Sequence, residues 1–135
     1  HAYEFFHDKA GFNYRMPNIN AALGCAQMES LSDYLFKKRK LAMMYKEFFR
    51  DGEYVFVDEP KDTKSNFWLN TIICPNKESR DYLLRQTNDA GVMTRPVWTL
   101  MCKLPMYKDC IKGNLKISEW FEERLVNLPS SPVDI

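Results

Sequence analysis

Apolar residues recur every three or four positions along the first third of the chain, behind an irregular start rich in aromatic residues. Pro17 suits the first turn of a helix, because the N–H that proline lacks would have no partner there. The spacing predicts long helices from Pro17 to Gly52, with the glycine capping the last turn. It leaves open whether Ser30 to Asp33 bends the chain between two helices or lies within a single one.

The hydrophobic pattern then changes to one that is typical of strands. Tyr54–Val57 and Phe67–Cys74 are predicted strands, because both are rich in aromatic and β-branched residues. The polar segment Asp58–Asn66, which contains a proline, is predicted to be the loop between them.

In the remaining third of the chain, segments with helical spacing alternate with segments that have the strand pattern. A helix over Ser79–Ala90 is expected to end at Gly91, and Val92–Trp98 to return as a strand. A last helix is expected to be capped by Ser118 and to carry Leu125 on its apolar face. The order of elements predicts a small α+β domain with long N-terminal helices and a mainly antiparallel sheet.

Charge and composition narrow the function classes. The 135 residues carry 19 basic and 18 acidic side chains, a net charge of +1. Proteins that bind nucleic acid through its phosphates usually show a basic surplus, so no nucleic-acid partner is expected. No apolar run approaches the ~20 residues that span a bilayer, so no membrane partner is expected either.

The cysteines and histidines indicate neither a metal site nor a catalytic residue. Four widely spaced cysteines match no disulfide scaffold or zinc pattern, which predicts a reducing, cytoplasmic location. Cys25 lies on an apolar helix face that is typical of inert packing. Because the chain starts at His1 and stops at Ile135, we interpret it as a piece of a longer protein.

Three segments combine charged, aromatic or sulfur-containing residues. The run Lys37–Lys40 wraps around a helix, so a solvated face is favoured over an anion site. In an extended stretch before Pro17, Asn13 and Arg15 point the same way and could bind one anion. Capping by Asn13 and an ion pair of Arg15 are the structural alternatives. The third segment, Thr94–Tyr107, is either a core strand with a surface loop or a ligand-facing loop.

These segments, taken in order, resemble a known family. Gly-x-Asn-x-Arg-Met-Pro, starting at Gly11, is followed by Asn-x-Asn-Ala-Ala-Leu-Gly-x-Ala-Gln. Further matches are Ser65–Asn70, Gly91–Trp98, Lys103–Tyr107 and Val126–Ser131. The set is similar to the DegT/DnrJ/EryC1/StrS family of pyridoxal-phosphate-dependent aminotransferases of nucleotide-linked keto-sugars, and to its legionaminic-acid-type branch in particular.

The resemblance implies a domain plan. It places residues 1–16 at the end of a large domain, in a segment between subunits. Residues 17–135 would be the small C-terminal domain of a fold type I (aspartate-aminotransferase-like) protein, without its last helix. None of the lysines lies in the family's Schiff-base motif, so this chain alone is expected to be inactive, and no catalytic residue is assigned to it.

The resemblance also implies a cofactor, partners and binding residues. Asn13 would reach the phosphate of pyridoxal 5'-phosphate in the other subunit of a homodimer. Arg15, Trp98 and Cys102 would contact the substrate, a nucleotide-linked keto-6-deoxy sugar that receives an amino group from glutamate for a surface polysaccharide. Trp98 and Cys102 stand where many relatives have tyrosine and histidine, and a thiol cannot take over the proton chemistry of an imidazole unchanged.

Two other functions stay open on the sequence alone. A non-catalytic binding or interaction domain could use the same fold, because a fold does not determine a function. A stand-alone regulatory α+β domain is the third possibility.

Overall fold

The computed structural model describes Phe12 and residues 15–132. The chain divides into two compact units, residues 1–32 and 33–135, which are described separately below. Most of the predicted first domain, residues 1–16, lies outside the described residues, so the predicted boundary after Met16 stays a prediction.

Two helices form the N-terminal part. Helix α1 spans Asn18–Glu29, with Pro17 in an extended conformation at its N-cap, and helix α2 spans Leu31–Phe48. The backbone N–H of Ser30 donates to the carbonyl of Gln27 at 3.2 Å, and this single residue in a turn separates the two helices. The predicted end at Gly52 is wrong: α2 stops at Phe48, and Gly52 belongs to the turn that follows.

Four strands form one sheet in the order β1-β2-β4-β3, and every neighbouring pair is antiparallel. Strand β1 is Val55–Phe56, β2 is Asn70–Ile73, β3 is Arg95–Pro96 and β4 is Leu125–Leu128. The predicted α+β class with an antiparallel sheet is confirmed. The strands are shorter than predicted. Strand β3 has only two residues, because its second residue, Pro96, has no N–H to extend the ladder of hydrogen bonds.

The central strand β4 is the element that the sequence prediction missed. It was assigned in part to the last helix, yet Leu125 pairs with Ile73 and begins the strand. The last helix, α4, spans Lys116–Glu122, and Leu115 is its N-cap. Ser118 therefore lies inside the helix and does not cap it.

Helix α3 follows its prediction closely. It spans Lys77–Asp89, and the side chain of Asn76 caps it by accepting a 2.8 Å hydrogen bond from the N–H of Ser79. Gly91 has a φ of 78°, which a residue without a Cβ adopts without strain. Two single turns of 3-10 helix, Met101–Lys103 and Pro105–Tyr107, occupy the long connection between β3 and α4.

The core lies on one face of the sheet. Ile72 and Val126 are fully buried and pair directly across β2 and β4, because alternate strand residues point to the same side. Helices α2 and α3 contribute Ala42, Tyr45, Leu83 and Leu84 to this layer. The other buried apolar residues are Phe56, Phe67, Cys74 and Leu128.

A pair of oppositely charged side chains holds the β1–β2 loop against α2. Both terminal nitrogens of Arg39 donate to Glu59, at 2.7 and 3.0 Å, and one also donates to the carbonyl of Ser65 at 2.6 Å. The hydrogen bonds from Arg39 and from the N–H of Ser65 lower the pKa of Glu59 to about 2. The predicted solvated face is therefore wrong for Arg39.

The four cysteines are free thiols. Cys25 is exposed, so the prediction that it packs inertly on a buried helix face is wrong. Burial raises the pKa of Cys74 to about 11, which makes it a core residue without nucleophilic character. Within the described residues, no helix is long and apolar enough to cross a membrane.

The pairing of Ile72 with Val126 gives a first prediction. Ile72→Ala should lower the free energy of unfolding by about 2–5 kcal/mol, because it leaves a cavity in the middle of the sheet. Urea titration followed by circular dichroism measures this change. Val55→Ala on the exposed side of β1 is the matched control and should cost no more than about 0.5 kcal/mol. Equal losses in the two variants would contradict the assigned core.

The ion pair between Glu59 and Arg39, which tethers the β1–β2 loop to α2, predicts that the stability of the fold depends on pH. The folded pKa of about 2 lies below the ordinary value of 4.5. The stabilisation that the ionised Glu59 gives to the folded state is therefore complete above pH 4.5 and is lost as the pH falls towards 2. The stability difference between wild type and Glu59→Gln should shrink over this window in urea titrations at several pH values. Glu53→Gln removes an exposed carboxylate as a control, and a pH-independent difference for Glu59→Gln would contradict the tether.

Candidate functional site

The outer face of the sheet carries a row of polar side chains. Arg95 of β3 pairs with Asn127 of β4, and Asn127 pairs with Thr71 of β2, so the three side chains share one face. The hydroxyl of Thr71 donates to the side-chain oxygen of Asn127 at 2.8 Å. The oxygen of this amide thus accepts from Thr71, and its N–H₂ group remains a donor on the face that Asn127 shares with Arg95.

A network at the end of α3 fixes the backbone that carries Arg95. Thr94 is buried, and its hydroxyl lies 2.6 Å from that of Thr87. The amide of Asn88 donates to the carbonyl and to the hydroxyl of Thr94, both at 3.1 Å. Because a buried hydroxyl is costly to leave unpaired, these contacts set the position at which β3 starts.

Two exposed tryptophans lie beside this row. The rings of Trp68 and Trp98 are nearly parallel, with 23° between their planes and 6.5 Å between their centroids. Trp68 follows Phe67, which has an unusual positive φ of 45°. The ring of Phe67 is buried, and the guanidinium of Arg39 lies over it at 5.4 Å, so packing maintains this conformation.

Arg95, Asn127 and Trp98 line a common open cleft of about 660 Å³. Its other walls are apolar or hydroxyl-bearing, and Arg95 is the single charged residue among the described residues that line it. One terminal nitrogen of Arg95 contacts the sulfur of Met93 at 3.4 Å, while the rest of the planar fork stays available. The cleft thus offers positive charge, an amide donor and an aromatic ring.

Lys38 of α2 closes the back of the same region. Its ammonium donates to the carbonyls of Ser130, at 2.6 Å, and Trp68, at 3.3 Å, and burial lowers its pKa. The hydroxyl of Ser130 accepts from the backbone N–H of Asn70 at 2.7 Å. Lys38 therefore anchors the segment just before β2 and the segment just after β4. This is a second departure from the predicted solvated face.

Cys102 occupies a separate part of the second unit. It is half-buried in the first 3-10 turn, where the N–H of Leu100 and the ammonium of Lys103 both donate to Glu122. Burial opposes ionisation of Glu122, yet these hydrogen bonds keep its pKa below the usual value. Among the described residues, the lining of the 660 Å³ cleft includes Trp98 but not Cys102.

The other two predicted site residues are in the first unit. Asn13 lies outside the described residues. Arg15 is exposed in the extended stretch before α1. The roles of all four residues, Asn13, Arg15, Trp98 and Cys102, remain predictions.

The sequence prediction did not single out Arg95 or Asn127. Arg95 stood within the segment Thr94–Tyr107 that was noted for its chemistry, so its residue type was a usable signal. Asn127 needed the strand β4 to be recognised, since only the pairing of β4 with β3 places the two side chains together. The signal in the sequence was the short apolar stretch Leu125-Val126-Asn127-Leu128, and the structure shows its residues to be half-buried and buried in turn.

The described residues of the cleft fit a phosphate group better than they fit the reactive end of pyridoxal phosphate. A guanidinium and an amide are donors that suit phosphate oxygens. A Schiff base needs a lysine, and none lies among the described residues that line the cleft. No described cluster of three histidine, cysteine or acidic residues could hold a metal ion.

Two curated proteins are similar in sequence to nearly the whole chain. The chain is 36% identical over 129 residues to the GDP-perosamine synthase of Escherichia coli O157:H7, and this alignment covers 96% of the chain. It is 30% identical over 131 residues to the GDP-perosamine synthase of Vibrio cholerae. The alignments cover 35% and 36% of those proteins, so the chain spans about a third of the length of these relatives.

The fold has matches among solved structures. PseC of Helicobacter pylori, an aminotransferase involved in the biosynthesis of pseudaminic acid, superposes with a TM-score of 0.79 over 96% of the chain and 36% of PseC, at 23% identity. The α+β unit is thus part of a fold type I aminotransferase architecture. The sequence model of the DegT/DnrJ/EryC1/StrS aminotransferase family matches residues 1–133, and the chain belongs to this family.

Proposed function

We propose that the chain is the small domain of a pyridoxal-phosphate-dependent aminotransferase that acts on a nucleotide-linked keto-6-deoxy sugar. The observation that carries this proposal is the 36% identity to a GDP-perosamine synthase along nearly the whole chain. The cleft at the β3–β4 edge supports it, because Arg95 and Asn127 offer donors for phosphate oxygens beside the exposed ring of Trp98.

The complete reaction would need parts beyond this chain. Pyridoxal phosphate supplies an electron sink for amino transfer when it is bound. The Schiff-base lysine would come from the remainder of the full-length protein, so the 135 residues alone would be inactive. Asn13 would donate a hydrogen bond to the cofactor phosphate of the other subunit in a homodimer, and this bond would orient the cofactor.

Three of the predicted residues would hold the substrate in the full-length protein. Arg15 would bind phosphate or sugar oxygens, and its planar fork suits either. Trp98 would pack against a ring of the substrate, since its side chain is two-thirds exposed. Cys102 would lie near the sugar in place of a histidine, where a thiol donates only a weak hydrogen bond, so proton transfer would fall to another group.

The setting of the reaction is part of the same proposal. Glutamate would be the amino donor, and the aminated sugar would enter a surface polysaccharide. The enzyme would work in the cytoplasm, where nucleotide sugars and reduced thiols coexist, and the four free cysteines fit that compartment.

The full-length protein that contains this chain tests the proposal. With pyridoxal phosphate and glutamate, it should aminate GDP-4-keto-6-deoxymannose, and the product should be detected by mass spectrometry. Trp98→Ala should raise KM for the sugar nucleotide about tenfold with a smaller effect on kcat, because a stacking surface is lost.

Two controls make the outcome decisive. Trp120→Ala on α4 removes a tryptophan that packs against Phe121 and Arg124, and should leave this KM unchanged. Binding of the nucleotide sugar without any amino transfer by the full-length protein would favour the non-catalytic binding domain. Unchanged kinetics in Trp98→Ala would remove Trp98 from the substrate site.

A further inference from the structure

Arg95 and Asn127 lie opposite each other on strands β3 and β4, so their hydrogen-bond donors are on the same face of the sheet. In an antiparallel pair, directly opposed side chains lie on the same face with Cβ atoms about 5 Å apart. Arg95 is exposed and Asn127 is half-buried, and both line the 660 Å³ cleft. Neither is a residue that the family resemblance assigned to a ligand.

The hydrogen bond from Thr71 gives this pair its chemical selectivity. An uncommitted amide presents an acceptor as well as donors, and the acceptor would repel an anion. Here the hydroxyl of Thr71 occupies the oxygen of Asn127 at 2.8 Å. The N–H₂ group is therefore the part of Asn127 that can donate to a ligand, on the sheet face that Asn127 shares with Arg95.

No carboxylate offsets this charge within the cleft. Arg95 is the single charged residue among the described residues that line it, and one of its terminal nitrogens contacts the sulfur of Met93. Arginine presents a planar fork that binds two oxygens of a phosphate at once. The electrostatics of the described cleft thus favour an anion over a neutral sugar alone.

The dimensions and the aromatic wall indicate the rest of the ligand. A volume of 660 Å³ is within the range of pockets for ligands of nucleotide size. Trp98 exposes 67% of its surface next to Arg95, and bases and sugar rings pack well on such a face. An amino-acid carboxylate would use the donors but place no ring against the exposed surface of Trp98.

We infer that Arg95 and Asn127 form an anion-binding site for the diphosphate of a nucleoside diphosphate, with Trp98 contacting an attached ring. This deepens the proposed function by naming the residues that recognise the charged part of its substrate. Binding at this site does not require amino transfer, so it can be measured on the chain without the reaction.

The test is an NMR titration of the 135-residue chain with three separate probes: inorganic pyrophosphate, GDP and glutamate. Pyrophosphate and GDP should shift the resonances of Arg95, Asn127 and the Trp98 indole in a saturable way. GDP should bind more tightly than pyrophosphate, because only GDP carries a ring. Glutamate should not saturate these shifts over the same concentration range.

Matched variants separate the site from general charge effects. Arg95→Gln should weaken pyrophosphate binding about tenfold or more, whereas Arg85→Gln on the exposed face of α3 should not. Asn127→Asp keeps an acceptor for Thr71 but replaces the donors with a negative oxygen, so it should abolish binding. Asn114→Asp makes the same charge change in an exposed loop and should leave binding intact.

Three results would overturn the inference. They are an absence of saturable shifts with pyrophosphate and GDP, equal affinity in Arg95→Gln and Arg85→Gln, and saturation by glutamate but not by pyrophosphate. The last would assign the donors to a carboxylate. None of them bears on whether the full-length protein transfers an amino group, so failure here is distinguishable from failure of the proposed function.

Discussion

The pairing of strand β4 with both of its neighbours is the interaction on which the rest of the structure depends. One residue, Val126, contacts β2 through Ile72 and β3 through Pro96, and it is completely buried. The next residue, Asn127, points to the opposite face because successive strand residues alternate. The same four-residue strand therefore completes the core on one side and supplies the donor beside Arg95 on the other.

Charged side chains from α2 hold the loops at this edge. Arg39 binds Glu59 and the carbonyl of Ser65, while Lys38 binds the carbonyls of Trp68 and Ser130. Each long side chain contacts residues twenty or more positions away in sequence and ends on backbone oxygens or a carboxylate. These contacts fix the backbone at Trp68, whose largely exposed ring lies nearly parallel to that of Trp98 beside the cleft.

The sequence was sufficient for the start of α1, for α3 and for the fold class, but not for the end of α2, for the bounds of α4 or for the strand β4. Pro17 and Gly91 act locally, so the helix boundaries that they mark could be predicted from short-range rules, whereas the cap at Asn76 lies three residues before the predicted start of α3 at Ser79. The strand β4 is four residues long and follows a helix directly, and its apolar Leu125 also continued the spacing of that helix. What identifies it is its pairing partners, which are about 55 positions upstream in β2 and about 30 in β3.

The candidate site shows the same division between local and long-range information. Trp98 was predicted from a resemblance in its own segment, and the structure locates it in a cleft with two donors. Arg95 and Asn127 become neighbours only through the sheet, so no motif contains both. The basic run Lys37–Lys40 was judged by its helical spacing alone, and the partners of Lys38 and Arg39 come from distant loops that spacing cannot reveal.

The central claim is that β4 places Asn127 between Thr71 and Arg95. Nuclear Overhauser contacts in a uniformly labelled sample test it most directly, because they report interstrand proton distances without any substitution. The account predicts contacts from residues 125–128 to β2 on one side and to β3 on the other, with extended backbone shifts. Helical shifts that continue α4 through Leu125, with no contacts to β3, would contradict it.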